Sequence, residues 1–327
     1  MAFTALMLIG CTSNPANSGT YARAELLLTQ NPGMEPSRTP FQPGLTLQTP
    51  SSSNDPSAPL TGATTQLTLS PAYSHRTNIL VLGSDWRPNS GYRTDVILLI
   101  SLDKIHGDVS IISFPRDLWV SLPGFGEERI NTAMEFGGFQ LAQEMFLQNF
   151  GLKIDHYILT NFQGFMSLVN TLGGINVNAA RELYDTCNLP QASAGYCFIG
   201  PGLNQMDGAT TLWYVRSRGT TNDFDRTRRA QEVLRALFEK LISLDAVGKP
   251  SYFFSNLSGT VETDLSFEDI LPFIPLVVNL SSNPANIRQF FIGPSEAYGY
   301  IIPSTGANVL LPNIDAILGI LNQAAGE

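Results

Sequence analysis

Five arginines lie close together in a chain that is otherwise acidic. They fall within residues 213–231, at Arg216, Arg218, Arg226, Arg228 and Arg229. Guanidinium groups bind phosphates and carboxylates through paired hydrogen bonds. The whole chain carries a net charge of -9, so it lacks the spread positive charge that binding to nucleic acid requires. The cluster predicts a small anionic ligand, although arginines on a helix can also be ordinary solvated surface.

The elements around these arginines predict how the side chains meet. An apolar run from Leu212 to Val215 precedes Arg216 and Arg218. If this run is a strand, alternation places both guanidinium groups on one face. Apolar spacing over 229–244 predicts a helix. Arginines at a strand end and at a helix start then converge on one ligand.

Acidic residues flank two apolar runs further upstream. Asp85 follows the run 78–83, and Asp95 precedes the run 96–102. If the two runs are antiparallel neighbours, both carboxylates lie at the same end of a sheet. A divalent cation such as Mg²⁺ offsets carboxylate repulsion where phosphates share a site. Ordinary turn positions are the alternative for both residues.

A further arginine follows the third apolar run, 109–114. This residue is Arg116, and its neighbour Asp117 offers a simpler pairing. Three charged features at successive strand ends together favour a binding site over three unrelated turns.

Strands alternate with helices across residues 76–325 and predict one α/β domain with helices on both faces of the sheet, a three-layer α/β/α sandwich. Runs apolar on both faces suit central strands. The remaining predicted strands are 156–160 and 175–177, and the remaining helices are 139–150, 163–172 and 313–323, with a capping box at Ser266 and Asp269 and a short or kinked helix after it.

The N-terminal part has a different composition. Residues 1–11 are predicted to be a signal or membrane-anchor remnant, because an apolar stretch leads to Cys11 as in a lipoprotein processing box. Residues 12–74 are rich in Ser, Thr and Pro and predict a disordered linker. Residues 75–327 form the predicted catalytic domain.

The other cysteines and the histidines offer little chemistry by spacing. Cys187 and Cys197 flank a loop-like stretch and form either a disulfide, which implies an oxidising compartment, or two free buried thiols. His75, His106 and His156 show no metal-ligand spacing and are predicted to be isolated surface or core residues. The chain contains no G-x-S-x-G elbow, P-loop or dinucleotide fingerprint.

Four strings resemble the LytR-CpsA-Psr family of bacterial cell-envelope enzymes. In chain order they are NILVLGSDWR (78–87), YRTDVILLISLD (92–103), VSIISFPRDLWVSLPGFGEERINTAMEFGG (109–138), and WYVRSR (213–218) with NDFDRTRRAQEVL (222–234). The resemblance implies transfer of a glycopolymer from a polyprenyl-diphosphate carrier to a sugar hydroxyl of peptidoglycan. It also implies a central mixed sheet, an apolar tunnel for the lipid tail, and arginines with Mg²⁺ or Mn²⁺ at the tunnel mouth.

Motif positions carry the family's site onto this chain. The implied catalytic residues are Asp95, Arg116 and Arg218, and the implied metal ligands are Asp85 and Asp95. The implied diphosphate-binding residues are Arg116, Arg129, Arg216, Arg218, Arg226, Arg229 and Gln231. Ala230 departs from the Arg-Gln-Gln sequence that the family often shows here.

The resemblance predicts an extracytoplasmic enzyme attached to the membrane through its N-terminus. Two alternatives remain at this point. One is a non-catalytic envelope protein that holds a lipid-linked saccharide, and the other is a polyprenyl-diphosphate hydrolase with water as the acceptor.

Overall fold

A computed structural model describes residues 69–86, 93–219, 223–243, 250–257 and 259–327. The predicted signal or anchor segment and the predicted linker up to residue 68 lie outside the described residues. Among the helices that the structure describes, none combines the length and the apolar character needed to cross a lipid bilayer.

The strands and helices follow each other in a largely alternating order. The strands are β1 (Thr77–Ser84), β2 (Thr94–Asp103), β3 (Asp108–Phe114), β4 (Trp119–Leu122), β5 (Gly126–Arg129), β6 (His156–Asn161), β7 (Ile175–Ala179), β8 (Leu183–Thr186), β9 (Tyr196–Ile199), β10 (Gly202–Met206), β11 (Glu262–Thr263), β12 (Ile287–Phe291), β13 (Ala297–Ile301) and β14 (Asn308–Pro312). The helices are α1 (Ala133–Phe150), α2 (Phe162–Thr171), α3 (Gly208–Arg216), α4 (Asp223–Ser243), α5 (Pro250–Leu257), α6 (Phe267–Ile270), α7 (Ile274–Ser282) and α8 (Ile314–Ala325).

Six strands form the central sheet in the order β11-β6-β1-β2-β3-β12. The neighbours β1, β2 and β3 are antiparallel, whereas β6 and β12 run parallel to β1 and β3. The sheet is therefore mixed, as predicted. Its antiparallel centre places the end of β1 beside the start of β2, so the predicted placement of both acids at one end of the sheet is confirmed.

Both faces of the sheet are covered because its central strands are apolar on both sides. Leu99 of β2 and Ile112 of β3 belong to a core shared with α1 and α8. Ile100 of β2 and Ile111 of β3 pack with α4 and α7 on the other face. Alternation of side chains along each strand produces these two cores, and the three-layer α/β/α architecture is confirmed.

The predicted helix ends agree with local signals. Gly151 ends α1 in the left-handed conformation, with φ 65°, where glycine has no steric penalty. Ser266 and Asp269 form the predicted capping box of α6. The predicted kink that follows is also present, since a short 3-10 stretch separates α6 from α7.

The conditional prediction of a strand over Leu212–Val215 is wrong, because these residues belong to α3. The side chain of Asp207 accepts the N–H of Thr210 and caps the helix. Tyr214 and Val215 then pack into a core shared with α2, α4 and β7. The apolar run is too short for its periodicity to separate strand from helix, so tertiary packing decides.

A close contact between α2 and α3 gives a test of this packing. A Cβ on Gly208 would lie 2.4 Å from the carbonyl oxygen of Met166. We expect Gly208→Ala to lower the free energy of unfolding by about 1–3 kcal/mol, because the backbones must separate. Chemical denaturation measures the change. Gly319→Ala in α8 is the matched control: its Cβ would meet no atom within 4 Å, so a gain of about 0.5–1 kcal/mol is expected. Equal effects at the two sites would contradict the close contact.

Candidate functional site

A break in strand register places Asp95 at the edge of the sheet. Gly83 pairs with Val96 and Ser84 pairs with Thr94, so Asp95 is the extra residue of a β-bulge. Bulges reorient a side chain away from the regular alternation of a strand. The carboxylate of Asp95 thereby lies at the sheet end where Asp85 also follows β1.

Asp95 is the common partner of three arginines from three segments. Its Oδ1 accepts a hydrogen bond from Arg116 at 2.8 Å, and its Oδ2 lies 3.9 Å from the guanidinium of Arg218. Its main-chain oxygen accepts a hydrogen bond from Arg226 at 3.3 Å. Arg116 follows β3, Arg218 follows α3 and Arg226 lies in the first turn of α4. The structure therefore brings together charges that are more than a hundred residues apart in sequence.

Asp117 extends this cluster to Arg129. One carboxylate oxygen lies 3.4 Å from Nε of Arg116, and the other lies 3.3 Å from Nε of Arg129. Arg129, the last residue of β5, also donates to the carbonyl oxygen of Asn308 at 2.9 Å. This hydrogen bond ties the side chain of Arg129 to β14. From the sequence, Asp117 was only an alternative partner for Arg116. In the structure it links two predicted site arginines.

The end of α3 separates Arg216 from Arg218. The guanidinium of Arg216 lies 4.0 Å from the ring centroid of Phe162, a cation–π contact at the start of α2. Ser217 leaves the helical conformation, with ψ 134°. The chain turns there, and Arg218 contacts Asp95 instead. The aromatic partner Phe162 was missed in the sequence because no local pattern relates it to Arg216.

Arg229 lies beneath the site. Its side chain is 1% exposed, donates to the carbonyl oxygen of Ser217, and lies 3.7 Å from the carboxylate of Asp225. Its guanidinium also lies 5.7 Å from the ring centroid of Tyr214. Burial, only partly offset by Asp225, lowers the pKa of Arg229, but an arginine remains charged in a protein. In this conformation Arg229 holds the turn that carries Arg218.

The neighbouring Arg228 binds acids of its own helix. It contacts Asp225 at 2.7 Å and also contacts Glu232. Although burial opposes the charge, these two carboxylates raise the pKa of Arg228 above its usual value. Burial and then the hydrogen bond to Glu232 raise the pKa of Tyr214. Asp225 lies three residues before Arg228 and Glu232 four residues after it, which are the spacings of side-chain neighbours on a helix. This spacing in the sequence could have identified both ion pairs.

Gln231 is fully buried between α4 and the sheet. Its amide donates to the carbonyl oxygen of Phe290 at 2.8 Å and also to the hydroxyl of Ser113. The side chain thus fastens α4 to β3 and β12 next to the site. The direct diphosphate contacts expected for Gln231 and Arg229 stay predictions.

A small cavity adjoins Asp95 between β2 and α4. Its volume is about 10 Å³, and Val96, Phe114, Arg226 and Ala230 are among its lining residues. This is room for about one water molecule. Ala230, the residue that departs from the Arg-Gln-Gln motif, lines this space.

Apolar side chains between the sheet and α4 are incompletely buried. Val96, Ile100 and Leu102 of β2 are half-buried, as are Leu234 and Phe238 of α4. This apolar layer extends from the arginine cluster along the second face of the sheet. The predicted tunnel stays a prediction, since the cavity at its expected mouth is smaller than a lipid chain.

A disulfide braces the hairpin of β8 and β9. Cys187 and Cys197 are bonded, which confirms the predicted pairing over two free thiols. On this hairpin, Asp185 accepts the N–H of Gly219 at 2.8 Å. The indole of Trp213 donates to the carbonyl oxygen of Thr186 at 2.9 Å. The hairpin therefore supports both ends of the segment that carries Arg216 and Arg218.

The two acids at the sheet end have the donor atoms for a hard divalent cation. Asp85 accepts the backbone N–H of Arg93 at 2.8 Å, which holds its carboxylate at the end of β1. Asp95 follows Thr94, the partner of Ser84, at the same end of the sheet. Mg²⁺ and Mn²⁺ prefer such oxygen ligands. The residues present fit the implied ion.

His75 and His106 are exposed, as predicted, but the prediction that they are isolated from each other is wrong. His75 and His106 both contact the carboxylate of Asp103, at 3.0 and 2.7 Å. His75 precedes β1 and His106 follows β2. The two histidines meet because the start of β1 pairs with the end of β2. His156 lies apart from this pair, 3.4 Å from Asp264.

The fold and the cluster together define a three-layer α/β/α protein with a cluster of arginines and aspartates at one end of its central sheet. The sequence profile of the LytR_cpsA_psr family matches residues 45–298, most of the chain. The chain therefore belongs to this family, and the resemblance seen in its motifs is confirmed.

Curated relatives carry the names of transferases. The chain is 26% identical over 210 residues to the polyisoprenyl-teichoic acid–peptidoglycan teichoic acid transferase TagT of Bacillus subtilis, covering 63% of this chain and 65% of that one. It is 31% identical over 191 residues to TagU of Enterococcus faecalis, covering 58% and 60%. The matched region thus spans less than two thirds of either relative.

Solved structures share the fold. Bacillus subtilis TagV superposes with a TM-score of 0.64 at 22% sequence identity, covering 77% of this chain and 97% of that one. TagT bound to LIIa-WTA superposes with a TM-score of 0.60 at 22% identity, covering 78% and 93%. The predicted fold class is confirmed.

Proposed function

We propose that this protein is a phosphotransferase that moves a glycopolymer from a polyprenyl-diphosphate carrier to a sugar hydroxyl of peptidoglycan and releases polyprenyl phosphate. The observation that carries the proposal is the convergence of Arg116, Arg218 and Arg226 on Asp95 beside a half-buried apolar layer. A diphosphate with a long apolar tail needs both features in one place. The names of the relatives TagT and TagU support the same reaction.

The arginines supply what phosphoryl transfer requires most, which is neutralisation of charge on the phosphate oxygens. Arg116 and Arg218 contact the carboxylate of Asp95 from two directions. On binding, their guanidinium groups turn from this carboxylate towards the phosphates. Arg129 and Arg216 flank them, held by Asp117 and Phe162 respectively.

In the proposed transfer one phosphorus–oxygen bond forms and one breaks. The acceptor hydroxyl oxygen forms a bond to the sugar-linked phosphorus, and the bond from this phosphorus to the bridging oxygen breaks. The electron pair of that bond leaves with polyprenyl phosphate. Once Arg116 and Arg218 have turned to the phosphates, Asp95 accepts the proton of the hydroxyl through the carboxylate oxygen that is not committed to the cation.

Asp85 and Asp95 would hold Mg²⁺ or Mn²⁺. When bound, the ion supplies positive charge to the phosphate oxygens beyond what the arginines provide. Arg229 and Gln231 position the site from below, because both are buried and both bind backbone next to it.

The lipid tail would lie between β2 and α4. Half-buried apolar side chains line this layer, but the cavity of about 10 Å³ must widen for an isoprenoid chain to enter. We further propose an extracytoplasmic location with attachment to the membrane through the N-terminus. The disulfide between Cys187 and Cys197 supports an oxidising compartment.

Release of polyprenyl phosphate tests the function. We expect the purified protein to release it from a polyprenyl-diphosphate saccharide only when Mg²⁺ and a peptidoglycan fragment are both present. Addition of EDTA should abolish release. Release without the fragment would replace transfer by hydrolysis, and binding without release under any metal would leave only a carrier-holding function.

A further inference from the structure

A second cluster of charged and metal-ligating side chains lies at the opposite end of the central sheet. His75 lies just before β1, Asp103 ends β2 and His106 lies in the turn that leads to β3. Asp103 lies eight positions after Asp95 on β2, a distance of roughly 26 Å along the strand. This cluster is therefore separate from the arginine site, and the proposed transfer makes no use of it.

Two imidazole nitrogens point at one carboxylate oxygen. Nε2 of His75 lies 3.0 Å from Oδ2 of Asp103, and Nδ1 of His106 lies 2.7 Å from the same atom. All three potential ligand atoms lie within 4.8 Å of one another. Ligands bound to a tetrahedral ion at zinc's bond lengths lie roughly 3.3 Å apart. The two nitrogen–oxygen distances are a few tenths of an ångström shorter than this value, so a small outward shift of the imidazoles from Asp103 is needed to admit an ion. The two nitrogens, which lie within 4.8 Å of each other, must also reach this separation.

Hydrogen bonds to both oxygens hold the carboxylate of Asp103 in position. Oδ1 of Asp103 accepts the backbone N–H groups of Ile105 and His106, at 2.8 and 3.0 Å. Arg76, itself buried, donates to Oδ2 at 3.1 Å. Although burial opposes ionisation, the hydrogen bonds from His106, Ile105 and His75 lower the pKa of Asp103 well below its usual range. Outer hydrogen bonds of this kind orient metal ligands in proteins.

The positive charge of Arg76 does not exclude a cation. Arg76 also binds Asp108 at 3.1 Å, and Asp108 contacts Arg288 as well. The carboxylates of Asp103 and Asp108 thus balance the guanidinium groups of Arg76 and Arg288 before any ion binds. Glu327 lines a cavity together with His75, Asp103 and His106, and its carboxylate adds negative charge there.

Solvent can reach the cluster. The side chains of His75 and His106 are 31% and 68% exposed, whereas that of Asp103 is 1% exposed. Both histidines line a cavity of about 490 Å³. This space is sufficient for an ion and its water ligands.

We propose that His75, Asp103 and His106 bind one divalent transition-metal ion of the zinc class, with water completing the coordination. Two imidazoles and one carboxylate select zinc and its neighbours, whereas magnesium prefers oxygen ligands alone. In the ion-free protein the nitrogens that face Asp103 donate to its carboxylate. When the ion binds, these nitrogens coordinate it through their lone pairs, and the proton of each neutral imidazole moves to the opposite ring nitrogen. The ion would fasten the segment leading into β1 to the turn between β2 and β3.

Cobalt and zinc titrations of the full chain, free of tag histidines and stripped with chelator, test the site. We expect one equivalent of Co²⁺ to give visible absorption bands of a low-symmetry site, and one equivalent of Zn²⁺ to abolish them and raise the Tm. A hundredfold excess of Mg²⁺ should leave the bands unchanged. Failure of the wild-type protein to bind either ion would overturn the proposal.

Substitutions locate the site on these residues. His75→Gln and His106→Gln should each weaken Zn²⁺ binding by more than about 100-fold, beyond the usual loss for an outer partner. His156→Gln is the matched control, because His156 also contacts one carboxylate, that of Asp264, and should bind as wild type. Asp95→Asn should also retain binding, which separates this ion from the one proposed for transfer. Wild-type affinity in both His75→Gln and His106→Gln would place the ion elsewhere.

Discussion

Replacing Arg116 by alanine is expected to lower the rate of polyprenyl phosphate release at saturating substrate by about 10²–10³-fold. The guanidinium of Arg116 donates to Asp95 at 2.8 Å and lies 3.4 Å from Asp117, so it occupies the centre of the charged cluster. Its removal leaves charge on the phosphate oxygens without a partner in the transition state. A steady-state assay with purified lipid-linked saccharide, Mg²⁺ and peptidoglycan fragment measures the effect.

Two further variants make this result specific. Arg116→Lys keeps the charge but loses the planar pair of donors, and it should recover only a small part of the rate. Arg235→Ala removes an arginine from α4 that pairs with Glu239 near the surface, and it should release product at the wild-type rate. A wild-type rate for Arg116→Ala, with correct folding, would remove this residue from the proposed mechanism.

Replacing Arg229 by alanine is expected to lower the free energy of unfolding by about 3–5 kcal/mol. Arg229 is 1% exposed, and its removal leaves the carboxylate of Asp225 and the carbonyl oxygen of Ser217 with one partner fewer in a buried setting. The substitution also leaves a large cavity below Tyr214. Urea denaturation followed by circular dichroism measures the change.

The same measurement on Arg235→Ala provides the comparison. Its ion pair with Glu239 is exposed and spans one helical turn, so a change of at most about 0.5 kcal/mol is expected. Arg229→Met fills much of the volume and should recover part of the loss if packing contributes. A loss below about 1 kcal/mol for Arg229→Ala would show that the buried contacts do not hold α4 against α3.

The two substitutions together distinguish an arginine proposed to bind the phosphates from one that supports the site from below. Arg116 is part-exposed at the sheet end, whereas Arg229 is buried beneath the turn at Ser217. The first substitution should reduce turnover with little change in stability. The second should change stability first, and turnover through the displacement of Arg218. The sequence motif places both arginines in one site and does not distinguish these effects.

Much of the architecture follows from local sequence. Three apolar runs rich in Val, Ile and Leu predict the central strands, and Gly151 marks the end of α1. If β1 and β2 are antiparallel neighbours, Asp85 and Asp95 lie at one end of the sheet. The observed pairing of β1 with β2 confirms this assumption. These features are readable because they depend on side-chain periodicity and on backbone conformations that few residues adopt.

Other features depend on contacts between segments distant in the chain. The apolar run at 212–215 is helical because Asp207 caps it and Tyr214 packs into a core with α4. His75 meets His106 only because two strands pair between them. A short stretch of sequence contains no information about which distant residues will contact it after folding.

The family, the order of the central elements and the residue types of the proposed diphosphate site all follow from the sequence. The tertiary structure alone decided which arginines face Asp95 and which are buried below it, and it assembled a second cluster around Asp103. The physical reason is one of range. Periodicity and capping act over a few residues, whereas burial and charge pairing depend on every segment that the fold brings to the same point.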